Sequence, residues 1–401
     1  MDLMEKKYEL FVEELKNEGW DIEKLISELM MFKFELPSWG FGDMGTRFAT
    51  FHEPGAARNI YEKLEDAALV NKLTGICPTV ALHIPWDKVD DWKDLKKHAE
   101  NLGLKIGAIN PNLFQDPDYK YGSVTNPDPK IRKRAIDHIL ECIEIAKILE
   151  SDVISLWLAD GTDYPGQDDF RDRKKRLEES LKIVYDNLPE NMKLFIEYKY
   201  FEPAFYHTDI QDWGMAHLLS TKLGDKAYVL VDLGHHPLGA NIEQIIAILL
   251  SEKKLGGFHF NNKKYADDDL TLGSINPYEV FLIFKELVFA VRDSELSNYA
   301  KNVRYMFDQV HSTKSKIEAM LQSVNTAQYI LAQSLLVDRD KLLDYQKKFD
   351  LIGAEEYLLK AFRRDVTPLI WKFRKDLGLP ENPLEYYRRS GYKVKISEIR
   401  G

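Results

Sequence analysis

The chain has 401 residues, 44% of them apolar, and a formal net charge of −10. This size and apolar content predict a large buried core and exclude wholesale disorder. The acidic balance disfavours a nucleic-acid partner, because phosphate binding requires a basic face, and it fits an enzyme of small neutral substrates.

The cysteine count and the hydropathy pattern indicate the cellular compartment in which the protein is expected. Cys77 and Cys142 are too few for a disulfide framework or a zinc–thiolate site. Residues 1–20 form a charged amphipathic pattern without a signal-like apolar core, and no apolar run approaches the ~18 residues of a membrane span. We therefore expect a cytoplasmic protein with no membrane segment.

Eight short apolar runs recur along the chain, and amphipathic helical patterns separate most of them. The runs are continuous rather than alternating, which is typical of parallel strands buried on both faces. In chain order they are FELPSWGFG (34–42), VALHIP (80–85), KIGAIN (105–110), DVISLWL (152–158), KLFIEYK (193–199), AYVLVDL (227–233), GGFHFN (256–261) and VRYMFD (303–308).

Strands that alternate with helices in this number predict an α/β fold, the (β/α)8 TIM barrel. We assign residues 34–338 to the catalytic barrel. Residues 1–33 are predicted as an N-terminal helical extension, and residues 339–401 as a C-terminal helical extension that makes oligomer contacts.

Functional side chains of such a barrel lie at the C-terminal ends of its strands. Five of six strand ends that we compare carry an ionisable or metal-binding side chain, and the sixth carries a tryptophan. The residues at or just beyond these ends are His83, Trp157, Glu197, Lys199, Asp232, His235, His236, His259 and Asp308.

These residue types predict metal chemistry. Glu197, Asp232, His259 and Asp308 could close around one divalent cation. Asp267 and Asp269 share one side of an extended loop and leave Asp268 pointing away, so with His235 they form a second ligand set. Oxygen and imidazole ligands without thiolate favour Mn²⁺, with Co²⁺, Mg²⁺ or Zn²⁺ as alternatives, and we expect two such ions.

Each of these residues also has a plainer interpretation. A single Asp at a strand end is commonly a turn former or a helix cap. His236 fits a neighbour of the site better than a ligand, and Asp268 fits a hydrogen-bonding loop residue. Trp39 and Trp157 could be core residues, and Lys199 could serve only as a salt-bridge partner of Glu197.

The motifs EYKYFEP, DWG, VDLGHH, GGFHFN, DDDLTLGS and YMFD, in this order and spacing, resemble the L-rhamnose isomerase family. The resemblance also covers SWGFG…GTRF, LHIPWD and SLWLADGTDYPG, so it extends from about residue 35 to residue 310. It is nearer to the broad-specificity bacterial type, and the xylose isomerase superfamily shares the barrel and the Glu-x-Lys strand end.

The resemblance implies a role for each matching residue. A structural metal would be held by Glu197, Asp232, His259 and Asp308, and a catalytic metal by His235, Asp267 and Asp269, with Asp232 as a candidate bridge. Lys199 would polarise the sugar carbonyl, and His83 would assist ring opening. We assign catalytic roles to Lys199, His83 and Asp308, and substrate contacts to Trp39, Phe48, His83, Trp157, Glu197 and Lys199.

The function so implied is aldose–ketose isomerisation of L-rhamnose and L-rhamnulose, and of L-mannose, L-lyxose and D-allose, by a two-metal-assisted hydride shift between C1 and C2. Phe48 would reach the site of a neighbouring subunit in a homotetramer. An ene-diol route is the mechanistic alternative. A metal-dependent epimerase of the same superfamily and a non-catalytic, metal-stabilised sugar-binding protein are the functional alternatives.

Overall fold

The computed structural model describes residues 3–43, 52–203, 205–310 and 313–401. All eight predicted apolar runs contain β-strands in these ranges, and two further short strands form a separate antiparallel pair. The strands are β1 Glu35–Pro37, β2 Thr79–Ile84, β3 Lys105–Pro111, β4 Val153–Trp157, β5 Lys193–Glu197, β6 Phe201–Glu202, β7 Tyr206–His207, β8 Ala227–Asp232, β9 Leu255–Phe260 and β10 Arg304–Phe307.

All the strands except β6 and β7 close into one parallel barrel, in the order β1-β10-β9-β8-β5-β4-β3-β2. Closure is made at β1, where Glu35 is in register with Met306 of β10 on one side and with Thr79 of β2 on the other. The prediction of a (β/α)8 barrel is confirmed. Because all the strands are parallel, their carboxyl ends lie at one face of the barrel.

Helices surround the barrel, and most of them begin at an Asp or Asn whose side chain accepts a backbone N–H of the first turn. The helices are α1 Leu3–Asn17, α2 Ile22–Met31, α3 Ile60–Thr74, α4 Trp92–Asn101, α5 Pro129–Leu149, α6 Phe170–Asp186, α7 Trp213–Leu223, α8 Ile242–Ser251, α9 Pro277–Arg292, α10 Ser297–Ala300, α11 Lys316–Ser334, α12 Arg339–Lys347, α13 Leu351–Phe362, α14 Thr367–Asp376, α15 Pro383–Arg389 and α16 Tyr392–Arg400.

The first helix of the chain packs against a helix of the C-terminal part. Helix α1 contacts α14, and Glu5 of α1 pairs with Lys375 of α14 at 2.6 Å. The division of the chain at residues 33 and 338 stays a prediction. Over the ranges that the structure describes, no helix has the length and the apolar character needed to cross a membrane.

Candidate active site

Four neighbouring strands of the barrel bring acidic and imidazole side chains together at their carboxyl ends. Glu197 ends β5, Asp232 ends β8, His259 is the last residue but one of β9, and Asp308 directly follows β10. These strands are consecutive in the barrel. The structure therefore places at one point the four residues predicted for the first cation.

His259 stands at the centre of this group. Its Nδ1 atom lies 3.2 Å from Oε1 of Glu197, 3.5 Å from Oδ2 of Asp308 and 3.8 Å from Oδ2 of Asp232. Ligand atoms of Asp232, His259 and Asp308 all fall within 4.8 Å of one another. This spacing allows one divalent cation to contact Asp232, His259 and Asp308 together.

His235 makes a second group beside the first. It ends a short 3-10 turn after β8, and its Nε2 atom lies 3.0 Å from Oδ1 of Asp267 and 3.9 Å from Oδ2 of Asp232. Ligand atoms of Glu197, Asp232 and His235 also fall within 4.8 Å of one another. The two groups therefore have Asp232 in common.

The loop 261–276 carries Asp267 and Asp269 to the site. Asn262 and Leu270 exchange two backbone hydrogen bonds of 2.9 Å and close the base of the loop. Asp267 and Asp269 have left-handed φ angles of 50° and 48°, a conformation that Asp tolerates better than most residues. Asp267 contacts His235, but both Asp267 and Asp269 lie outside the two compact three-residue groups found among the described residues.

Asp268 faces away from the charged cluster, which consists of these two groups of carboxylates and imidazoles. Its side chain holds the loop together. Its carboxylate accepts the backbone N–H groups of Lys264 at 3.0 Å, Tyr265 at 3.0 Å and Ala266 at 2.6 Å. His236 is likewise engaged elsewhere, because its Nε2 atom lies 2.6 Å from the hydroxyl of Tyr198. Both residues occupy the supporting positions suggested by the sequence.

The pKa values of the cluster report an excess of negative charge. Burial alone would lower the pKa of His235, but Asp232 and Asp267 outweigh it and raise the pKa to about 9. Burial also disfavours the charged form of His259, but the charge of Glu197 outweighs this effect and raises the pKa of His259 to about 9. Burial raises the pKa of Asp308 to about 7, and burial together with Asp267 raises the pKa of Asp269 well above its ordinary range.

This donor set fits a divalent cation. Buried carboxylates that crowd one another require a positive partner, and a metal ion would supply it. The donors are oxygens and imidazole nitrogens, whereas the thiols of Cys77 and Cys142 are buried elsewhere in the fold. Such a set is typical of Mn²⁺, Mg²⁺ or Co²⁺.

Lys199 brings an ammonium group to the same pocket. Its Nζ atom donates hydrogen bonds to Asp267 and, at 3.1 Å, to Oε2 of Glu202. The same atom lies 5.1 Å from the centroid of the Trp157 ring. The side chain is only 3% exposed, so its charge is directed at the pocket rather than at bulk solvent. Lys199 therefore has ion-pair partners and also faces the aromatic side of the site.

Aromatic side chains line the opposite half of the barrel mouth. The ring centroids of Trp39 and His83 are 5.6 Å apart, and His83 stacks on Trp86 at 3.9 Å. Phe114 continues the row, 5.9 Å from Trp86 and 4.7 Å from Trp157. These five residues form an aromatic wall of flat apolar faces, a surface suited to the C–H faces of a sugar.

The aromatic wall and the charged cluster meet where β1 adjoins β10. There Nε1 of Trp39 donates a 2.8 Å hydrogen bond to Oδ1 of Asp308. Asn261 also supports the charged half, because its Nδ2 atom donates to Oδ1 of Asp232 at 2.9 Å and to the backbone oxygen of Asp308 at 3.2 Å. The orientation of Asp308 is therefore fixed from two sides.

A buried ion pair supports His83 from below. Asp87 accepts the backbone N–H of His83 at 2.8 Å, the Nζ atom of Lys63 at 2.6 Å and the hydroxyl of Ser38. Burial and the nearby Lys63 lower the pKa of His83 to about 3. The imidazole is therefore neutral at physiological pH, and one of its ring nitrogens can accept a hydrogen bond.

Four pocket residues were missed by the sequence analysis. Trp86, Glu202 and Asn261 lie in the motifs LHIPWD, EYKYFEP and GGFHFN, which had been read only for their other members. Phe114 follows β3 in a segment without any recognised pattern. Phe48, predicted to contact a neighbouring subunit, lies outside the described residues.

Comparisons with known proteins agree with this architecture. A family model described as the xylose isomerase-like TIM barrel matches residues 73–308, more than half of the chain. A probable sugar isomerase of Rhizobium meliloti (strain 1021) is 44% identical over 404 residues, covering 100% of this chain and 93% of that protein. An L-rhamnose isomerase of Bacteroides thetaiotaomicron is 24% identical and covers 86% of each chain.

Solved structures with the same fold include two sugar epimerases. A D-psicose 3-epimerase determined in the presence of D-fructose has a TM-score of 0.54 at 12% identity, over 75% of this chain and 99% of its own. An L-ribulose 3-epimerase has a TM-score of 0.52 at 15% identity, over 82% of this chain and 96% of its own. At these identities the likeness concerns the fold alone.

Proposed function

The chain belongs to the xylose isomerase-like TIM barrel family, and we propose that it interconverts L-rhamnose and L-rhamnulose. The observation that carries the proposal is the division of the barrel mouth into two halves. A carboxylate–imidazole cluster with a buried ammonium group, Lys199, faces an aromatic wall across one pocket. The similarity to an L-rhamnose isomerase over most of the chain supports the choice of sugar.

Glu197, Asp232, His259 and Asp308 would hold one divalent cation, and His235 with Asp267 and Asp269 would hold a second. Divalent cations held by these residues would supply Lewis acidity to adjacent oxygens of an open-chain sugar. The count of two, and Mn²⁺ as the preferred ion, are parts of the same proposal.

The chain's own residues account for the remaining steps. The aromatic wall binds the apolar face of the sugar, and the neutral His83 imidazole would accept a hydrogen bond from the sugar as the ring opens. Lys199 places positive charge beside the carbonyl oxygen. A hydride then moves from C2 to C1 while the hydroxyl proton moves from O2 to O1, so no external oxidant or reductant is required.

A sugar epimerase is the second candidate, and it is favoured by one observation. The two compact ligand groups share Asp232, so a single cation could use members of both. An epimerase would invert a carbon next to the carbonyl and leave the aldose or ketose character of the sugar unchanged.

The test begins with protein stripped of metal by a chelator. L-rhamnose is added with and without Mn²⁺, and ketose is assayed. Ketose that forms only with the metal supports the isomerase. Parallel reactions with D-fructose and L-ribulose, analysed for epimers, identify the alternative activity. Metal binding without turnover of L-rhamnose, L-mannose, L-lyxose, D-allose or the ketoses would favour a sugar-binding protein.

We also propose a homotetramer in which Phe48 lies near a neighbouring subunit's pocket. Support comes from the resemblance of SWGFG…GTRF to the broad-specificity isomerases. Sedimentation equilibrium tests the assembly, and a dimer or monomer at assay concentration would contradict it.

A further inference from the structure

A cavity of about 340 Å³ lies inside the barrel beneath the charged cluster, on the side of the strands' amino ends. Barrel interiors are commonly filled by bulky branched side chains. Here the small residues Gly107, Ala108 and Ser155 line the space and leave part of it unfilled. At ~30 Å³ for each water molecule the cavity has room for about ten.

Glu35 of β1 places a carboxyl group inside this cavity. Its two oxygens accept the backbone N–H of Ala108 at 3.2 and 3.3 Å. A Cβ atom on Gly107 would lie 1.4 Å from Oε2 of Glu35, so the glycine makes the space that the carboxyl occupies. The proposed function leaves this half-buried acid without a role.

The roof of the same cavity includes His259. Its Nδ1 atom faces Glu197, Asp232 and Asp308, so Nε2, on the other side of the ring, faces away from them. Among the described residues, the Nε2 atom has no hydrogen-bond partner.

Strand register places the acid and the imidazole in one row. Glu35 pairs with Met306, and Met306 pairs with His259, so all three side chains point to the barrel interior. Two strand spacings separate Glu35 from His259, about 10 Å between their backbones. The Ser155 hydroxyl, 2% exposed as a residue, lines the cavity and also lacks a partner within the described ranges. Polar groups around a roomy space of this kind hold ordered water.

We propose that Glu35 is a positioning residue for the metal centre: water in the cavity accepts the Nε2–H of His259 and donates a hydrogen bond to the Glu35 carboxyl. The interaction keeps the proton on Nε2 and the lone pair on Nδ1, the atom that faces the carboxylates. Outer-sphere carboxylates orient metal-binding histidines in this way. The inference rests on the metal centre of the proposed function.

The experiment measures Mn²⁺ binding to the full chain, with free Mn²⁺ followed by electron paramagnetic resonance. Glu35→Met removes the acceptor and should weaken binding at least about tenfold. Glu35→Gln keeps a carbonyl acceptor at the same place and should restore most of the affinity. Asp152→Asn, which removes a carboxylate from the cavity mouth where it pairs with Arg304, is the matched control and should bind as the wild type does.

Each result decides the proposal. Unchanged affinity in Glu35→Met, or equal losses in Glu35→Met and Glu35→Gln, would overturn it. If Glu35→Met does not fold, Gly107→Ala replaces it, because the added methyl displaces the carboxyl from its position while Glu35 itself is retained. Wild-type affinity in Gly107→Ala would then refute the role of Glu35. Absence of Mn²⁺ binding by the wild type would instead refute the metal centre itself.

Discussion

At the scale of single residues, Lys199 joins the two halves of the pocket. Its ammonium group contacts Asp267 and Glu202 and lies against the Trp157 ring. A buried ammonium is costly unless it is paired, and here two carboxylates stabilise it. Because both partners are fixed by their own segments, the positive charge is held in place before a substrate arrives.

We predict that Lys199→Met lowers kcat for L-rhamnose by at least about a hundredfold, since it removes a preorganised positive charge from the developing oxyanion. Mn²⁺ affinity should change much less. The matched control is Lys263→Met, which removes a half-buried lysine that donates to the backbone oxygen of His236. Steady-state ketose formation measures both variants. Similar kcat values for the two would exclude an electrostatic role for Lys199.

The same scale explains what the sequence could predict of the site. Glu197, Asp232 and Asp308 end apolar runs, so their common face follows from the barrel pattern. Glu202 and Phe114 lie on irregular segments, whose course depends on contacts with distant parts of the chain. Such contacts leave no periodic pattern in the sequence, and these residues were found only in the structure.

At the scale of elements, the loop 261–276 is the least regular part of the site. Two of its residues, Asp267 and Asp269, have left-handed backbone angles. Such conformations persist only when surrounding structure fixes them. Asp268 supplies that constraint through the three backbone N–H groups that it accepts.

We predict that Asp268→Ala lowers the free energy of unfolding by about 1–3 kcal/mol, because it leaves loop N–H groups without their acceptor. It should also weaken Mn²⁺ binding, since Asp267 and Asp269 lose their fixed orientation. Asp163→Ala is the control, because Asp163 accepts one backbone N–H, that of His207 at 3.1 Å, in another exposed loop. Denaturant unfolding and metal titration give the two readouts. Wild-type metal affinity in Asp268→Ala would show that the loop orders itself without this residue.

The strands illustrate why element positions were predictable and their interior contacts were not. Continuous apolar runs predicted all eight barrel strands, because a strand that is buried on both faces consists mainly of apolar residues. The cavity around Glu35 has no such pattern. It depends on Gly107 lying beside Glu35 although 72 positions separate them, a consequence of barrel closure.

At the scale of the whole molecule, charged contacts join the two ends of the chain around the barrel. Glu18, just after α1, pairs with Arg364 at 2.7 Å and with Lys360 of α13 at 2.9 Å. Arg364 also contacts Glu14 at 2.7 Å. These pairs fasten the N-terminal helices to the C-terminal ones, so the barrel is enclosed by segments from both ends.

This arrangement predicts a pH-dependent contribution to stability. Hydrogen bonds from Arg364 lower the pKa of Glu18 from 4.5 to about 2. The folded state therefore binds this proton less readily than the unfolded state, so the contribution is complete above pH 4.5 and disappears as the pH falls to about 2.

Glu18→Gln should lower the free energy of unfolding at neutral pH by only about 0.5–1 kcal/mol, because the pairs are partly exposed to solvent. Its difference from the wild type should shrink through this acid range, whereas Glu13→Gln, an exposed change on the preceding helix α1, should match the wild type throughout. A difference that stays constant with pH would mean that Glu18 contributes through packing, and that the two ends of the chain are not joined by charge.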